Sequence, residues 1–283
     1  MLRAIRWELY KVYRRPATWV LVGLLLTLLV LIGYAVAWAL LTHPPQGLAL
    51  PPGATPESLK RSLYPSNFVS VAAQQGGIPA AIALIFGVLF VGSEFGWDTF
   101  KILFTLAPRP RVLIVKLAAL VIALFVAAVL YLLVAAVSSV IVAALDQKSL
   151  ADWPSASELA RGLLVMVLTW TFWALFGSLL ATLFKQSALA VGIGLGYLFA
   201  IEGLLLGVAG AFQGSFLHNL LKLFPGPNAG ALAVSLGPPP PLRTLGSSTQ
   251  SLVSAEQATV VLLLYCVAAV ALAGWTLLRR DVL

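Results

Sequence analysis

The sequence predicts an all-helical, polytopic membrane protein with six transmembrane helices, and its composition and the recurrence of long apolar runs carry that expectation. Hydrophobic residues make up 60% of the 283 and charged residues 10%, against roughly 25% charged usage in soluble domains. A helix needs about 20 apolar residues to cross a hydrocarbon layer roughly 30 Å thick. Runs of that length fall at 17–41, 68–92, 112–145, 159–184, 188–212 and 258–278, all within a single domain, 1–283.

A net charge of +8 would suit nucleic acid, but the basic residues are distributed as a topology signal, so no nucleic-acid partner is expected. With the N-terminus in the cytoplasm, Arg3, Arg6, Lys11, Arg14, Arg15, Lys101, Arg109, Arg111, Lys116, Lys185, Arg279 and Arg280 lie inside. Only Lys60, Arg61, Lys148, Arg161, Lys222 and Arg243 lie outside. This bias places both termini in the cytoplasm. Ala35 to Ala39, AVAWA, offers an A-x-A cleavage pattern, but the apolar run before it is too long for a signal-peptide core and reads as a retained helix. Cys266 is the sole cysteine, so no intramolecular disulfide can form.

Residues 1–16 place Leu2, Ile5, Leu9 and Val12 at helical spacing, with arginines and lysine on the other faces and Trp7, Tyr10 and Tyr13 as interfacial aromatics. The segment is a positive flank or, as the spacing favours, a helix lying on the membrane until Pro16 bends the chain inward. The proline-rich loop 42–67 accommodates a short helix starting at Thr55, with Pro56 in its first turn. In the second span Gln74, Gln75, Gly76, Gly77 and Pro79 interrupt the apolar run, and broken helices of this kind line pathways.

Between spans two and three, Glu94, Asp98, Lys101 and Thr105 follow i, i+4, i+7 and i+11 and form one polar stripe. Phe95, Ile102, Leu103 and Leu106 flank it on one side, Trp97, Phe100 and Phe104 on the other. Segment 93–111 therefore lies in the cytoplasmic interface with its stripe outward. Pro108 and Pro110 end it, and Arg109, Arg111 and Lys116 hold the next segment at the head groups. Residue chemistry alone leaves a topological anchor and a docking surface for a cytoplasmic partner both open.

SASE, Ser155 to Glu158, is a capping box that starts the fourth span. In the fifth, Gly192, Gly196, Gly203 and Gly207 form a smooth stripe for packing within the chain or along a dimer seam. Glu202 is the one ionisable residue near the middle of a span, and it reads either as a substrate or gate contact or as a neutral acid bonded to a neighbouring helix. The outside segment 213–257 holds an amphipathic helix over Ser215 to Phe224 and a second short helix in NAGALAVSL. An extended loop at Pro238 to Pro241 follows, and SAEQ caps the last span.

Catalytic chemistry is thin: His43, His218 and Cys266 are the only imidazoles and thiol, and no H-E-x-x-H or G-x-S-x-G occurs. None of the seven lysines follows a glycine, so no P-loop exists and any ATP must be bound by another chain. The chain is not expected to be an enzyme in itself.

Glu94, Thr99, Leu106, Pro108, Arg111 and Lys116, between spans two and three, resemble the first cytoplasmic loop of ABC-2 type transporter permeases. The likeness extends along the chain through Glu8 and Lys11, then Arg14 and Arg15, the six spans, the short helices before the last span and the RRDVL tail. It implies that 93–111 is a coupling helix seated on a separate ABC ATPase subunit, with Glu94, Asp98, Thr99, Lys101, Pro108 and Arg111 in that contact. It further implies two ATPase copies carrying ATP and Mg, no cofactor on this chain, a second permease, and a multi-pass location in a bacterial cell membrane. Export of a hydrophobic or amphipathic molecule follows, with Glu202, Gln74 and Gln75 along the pathway. Asp98 departs from the family pattern, in which glycine often precedes the threonine. A non-transporting membrane scaffold, and an ion-coupled carrier using Glu202, are the readings from other classes.

Overall fold

The computed structural model describes residues 1–45, 50, 53–96, 108–204, 216–246 and 252–279. Among them every regular element is helical, and five helices are long and apolar enough to cross a membrane.

Helix α1 (Leu2–Arg14) is amphipathic, but its buried line is Glu8 and Val12, with Ile5 and Leu9 packed beside them. Leu2 is exposed, so the expected apolar line begins one turn later. Trp7, Tyr10 and Tyr13 are exposed. Arg15 is extended and Pro16 opens α2 (Pro16–Thr42), where a fixed φ and a missing N–H cost nothing. Residues Leu29–Val36 of α2 widen into a π-helix.

The short helix α3 (Pro56–Lys60) is capped reciprocally by Thr55 and Ser58. The expected second span at 68–92 is in fact two pieces, α4 (Phe68–Ala73) and α5 (Gly77–Gly96). Between them Gly76 has φ +70, a left-handed conformation that glycine adopts without a Cβ clash.

Helix α6 (Arg109–Leu145) has 37 residues, and Pro110 lies in its first turn. Helix α7 (Ala156–Phe184) starts at the expected capping box: Glu158 accepts from the Ser155 N–H at 2.7 Å, and Ser155 Oγ accepts from the Glu158 N–H at 3.3 Å. Lys185, with φ +53, turns the chain directly into α8 (Ser187–Glu202), whose last stretch, Gly196–Glu202, is again a π-helix.

The core is the α5–α7 pair. A Cβ on Gly87 would stand 1.9 Å from the Ala174 carbonyl oxygen, and one on Gly177 would stand 2.2 Å from that of Leu84. Ser178 Oγ donates to the Gly87 carbonyl at 3.0 Å. Small residues here let two backbones touch where lipid supplies no hydrophobic drive. The fifth-span stripe behaves differently. A Cβ at Gly192, Gly196 or Gly203 would meet no described atom within 4 Å, whereas Gly194 packs on Leu84. Gly207 lies outside the described residues.

Helix α8 is apolar but short, and the rest of the expected span, 205–212, lies outside the described residues. After it come α9 (Phe216–Leu221), α10 (Pro225–Val234) and α11 (Pro241–Gly246). The fourth proline of the run therefore starts a helix instead of extending the loop. Helix α12 (Ala255–Arg279) closes the bundle against α7, with the Gln257 N–H donating to Ser254 Oγ at 3.3 Å.

Candidate functional site

A cavity of about 520 Å³ opens where the break between α4 and α5, both π-helical stretches, α7, α10 and α11 converge. Gln74, Gln75 and Glu202, singled out separately in the sequence, all line it. The Gln74 side chain ties the break to the segment that precedes α11. Its Nε2 donates to Ser70 Oγ at 2.6 Å and to the carbonyls of Gly237 and Pro238 at 3.0 and 3.3 Å. Gln75 Nε2 donates to the Val71 carbonyl at 2.9 Å and rests on Gly33 of the π-turn, where a Cβ would stand 2.6 Å away. Single π-turns inside α-helices recur at functional sites, and here two of them border one cavity.

Glu202 is 2% exposed. Its Oε1 accepts from the Tyr197 hydroxyl and from the backbone N–H of Gly226, each at 3.0 Å. Gly226 is the second residue of α10, so the carboxylate sits at the positive end of that helix. A Cβ there would stand 2.1 Å from Glu202 Oε2, so glycine is what permits the approach. Arg243, on α11, also lines the cavity, and its Nη1 donates to Gln74 Oε1 at 3.4 Å. Burial lowers the Arg243 pKa, yet a guanidinium stays charged. Sequence reasoning missed this residue because a basic side chain in a proline-rich loop reads as solvated. The signal was Pro241 at a helix start, which directs Arg243 back onto the bundle.

At the opposite end of α5, four charges are drawn together. Lys11 Nζ lies 2.6 Å from Glu8 Oε1 and 2.8 Å from Glu94 Oε1. Lys116 pairs with Glu94 Oε2 and, at 3.4 Å, with Glu8 Oε2. Burial alone would lower the Lys11 pKa, but the carboxylates of Glu8 and Glu94 outweigh it and hold the ammonium above the usual lysine range. Two expectations are corrected here. Glu94 is 1% exposed and turned into the protein, because its charge finds two lysines there rather than water, so it is not part of an outward stripe. Lys116 is 5% exposed and does not reach toward head groups. Asp98, Thr99 and Lys101 lie outside the described residues. Pro108 is the N-cap residue of α6 and Arg111 stands in its first turn, both exposed.

A family model described as ABC-2 family transporter protein matches residues 4–201, well over half of the chain. The chain belongs to the ABC-2 transporter family. No match is found among curated proteins. This ABC-2 protein is accordingly a multi-pass membrane protein of a transport family, and members of that family are membrane subunits that are not themselves catalytic. The match takes in the charge cluster and the α2, α5 and α7 walls of the cavity, and stops one residue short of Glu202. Gly226 and Arg243 lie beyond it.

The ABC-2 bundle has a third polar node, at the end of α6 remote from Lys116. Asp146 accepts from Trp38 Nε1 at 3.0 Å and from the Tyr64 hydroxyl at 3.1 Å, and Lys60 Nζ lies 3.7 Å away. Burial and the hydrogen bond to Asp146 push the Tyr64 phenol up to about 12. The node ties α2, α3 and α6 together.

Proposed function

We propose that this chain is the membrane-spanning permease subunit of an ATP-driven ABC exporter for a hydrophobic or amphipathic substrate. It works with a second permease, identical or homologous, and with two copies of a separate ATPase that holds ATP and Mg. In this reading α8 and the residues after it complete a sixth span, both termini lie in the cytoplasm of a bacterial cell, and 213–257 faces outward. Segment 93–111 is the coupling helix, with Glu94, Asp98, Thr99, Lys101, Pro108 and Arg111 at or beside the ATPase contact. Gly192, Gly196, Gly203 and Gly207 furnish the seam with the second permease.

The observation that carries the reading is the buried cluster of Glu8, Lys11, Glu94 and Lys116. A load applied to 93–111 reaches α1, α5 and α6 at once through charges that are costly to separate. ATP-driven closure of the ATPase subunits would then shift the balance between two arrangements of the spans, which is how alternating access exposes a cavity to each side in turn. The test is co-purification with a P-loop ATPase. Reversing both charges, Asp98→Lys with Lys101→Glu, is expected to abolish association and permease-stimulated ATP hydrolysis. Unchanged stimulation in that double variant would remove the coupling role.

An ion-coupled carrier using Glu202 is the second reading, favoured by the burial of that carboxylate among neutral partners. It requires transport to stop with a protonophore and to continue when ATP hydrolysis is blocked.

A further inference from the structure

An acid and a guanidinium line the cavity and do not meet. Glu202 Oε1 is occupied by Tyr197 and Gly226, whereas Oε2 takes no hydrogen bond from any described residue. Arg243 has five N–H donors, and among the described residues only Gln74 Oε1, at 3.4 Å, accepts from it. No ion pair joins the two among the described residues. The wall they share is aromatic, with Trp170, Trp173 and Phe199.

Each simpler ligand fails one of these groups. An anion alone leaves the free oxygen of Glu202 without a donor, a cation alone is repelled by Arg243, and a neutral apolar molecule desolvates both groups without replacing the water it expels. A volume of about 520 Å³ is large enough for a small head group and the adjoining part of a chain. We infer that the cavity binds a zwitterionic amphiphile. Its ammonium group lies against Glu202, its phosphate or carboxylate against Arg243, and its apolar body against Trp170, Trp173 and Phe199. This rests on the exporter reading only for the role of the cavity as a pathway; the charge pattern stands without it.

The test uses the full-length protein in nonionic detergent and native mass spectrometry with three probes of one chain length: an alkyl phosphoethanolamine, the alkyl phosphate and the alkylamine. The zwitterion is expected to bind about tenfold or more tighter than either singly charged probe, the scale of one desolvated charge contact. In Arg243→Gln the alkylamine should rise to match the zwitterion, and in Glu202→Gln the alkyl phosphate should do so. Glu202→Gln keeps an acceptor for Tyr197 and Gly226, so the local fold is preserved. Equal binding of the three probes to the unaltered protein overturns the inference, and that comparison needs no variant to fold. Zwitterion-selective binding with no ATP-driven movement in the complex upholds the site and sinks the exporter reading. ATP-driven export by a protein that binds all three probes alike does the reverse.

Discussion

A carboxylate withdrawn from water must find its cation, and Glu94 finds two, which makes the cluster sensitive to its loss. Breaking a buried pair by removing one partner costs about 3–5 kcal/mol, because the other charge is left desolvated. Glu94→Gln leaves Lys116 facing Glu8 at 3.4 Å and Lys11 tied to Glu8 alone. The single variant should therefore lower the thermal midpoint in micelles sharply, and Glu94→Gln with Lys116→Met should recover most of the loss. Equal losses would mean that the four charges do not act as a unit. Gly226→Ala probes the other end. Its Cβ would displace the tip of the Glu202 side chain rather than backbone, so the stability cost is that of one hydrogen bond, about 1 kcal/mol. Transport, if Glu202 contributes to the pathway, should fall by far more than that small change in midpoint implies.

Between elements, contact depends on what a side chain would have to displace. Gly87 faces the backbone of Ala174 across α5 and α7, so Gly87→Leu should force the helices apart and prevent recovery of monodisperse protein. Gly192→Leu meets no described atom and should leave the protomer as stable as before, measured by the same melting curve. If Gly192 forms a seam, association between permeases is lost instead. The α2, α3 and α6 node responds to pH in a defined direction. The Tyr64 phenol is raised from about 10 to about 12, so its neutral form is favoured by folding. Its contribution is complete below pH 10 and is lost as pH rises from about 10 to about 12. Tyr64→Phe should flatten the stability profile across that window, and an unchanged slope would assign it to another group.

Across the whole molecule, what the sequence made legible was whatever depends on local periodicity. Among the described residues, five helices long and apolar enough to cross a membrane overlap the expected runs, and the SASE cap, the Thr55 start and the break at Gln74 to Gly76 appear where spacing places them. Charges were misplaced where their partners lie far along the chain: Lys116 is 108 residues from Glu8, and Arg243 is 169 from Gln74. No window of periodicity can see such a pairing, so Glu94 looked outward and Arg243 looked solvated. The same long-range pairings define how the two ends communicate. Helix α5 has 20 residues, about 30 Å at 1.5 Å per residue, and joins the broken segment at the cavity to the buried charges of Glu94. Its tight contact with α7 keeps it from bending, so it should act as a strut with separable ends. A Cβ on Gly230 would have only Arg243 Nη2 nearby, at 3.9 Å, so Gly230→Trp should fill the cavity without disturbing the cluster. That variant is expected to stop transport while still associating with the ATPase. Glu94→Gln with Lys116→Met should do the opposite, binding the zwitterionic probe normally while ATP hydrolysis no longer drives transport. Loss of both properties in either variant would mean that cavity and cluster are one cooperative unit, and that α5 is not a strut between them.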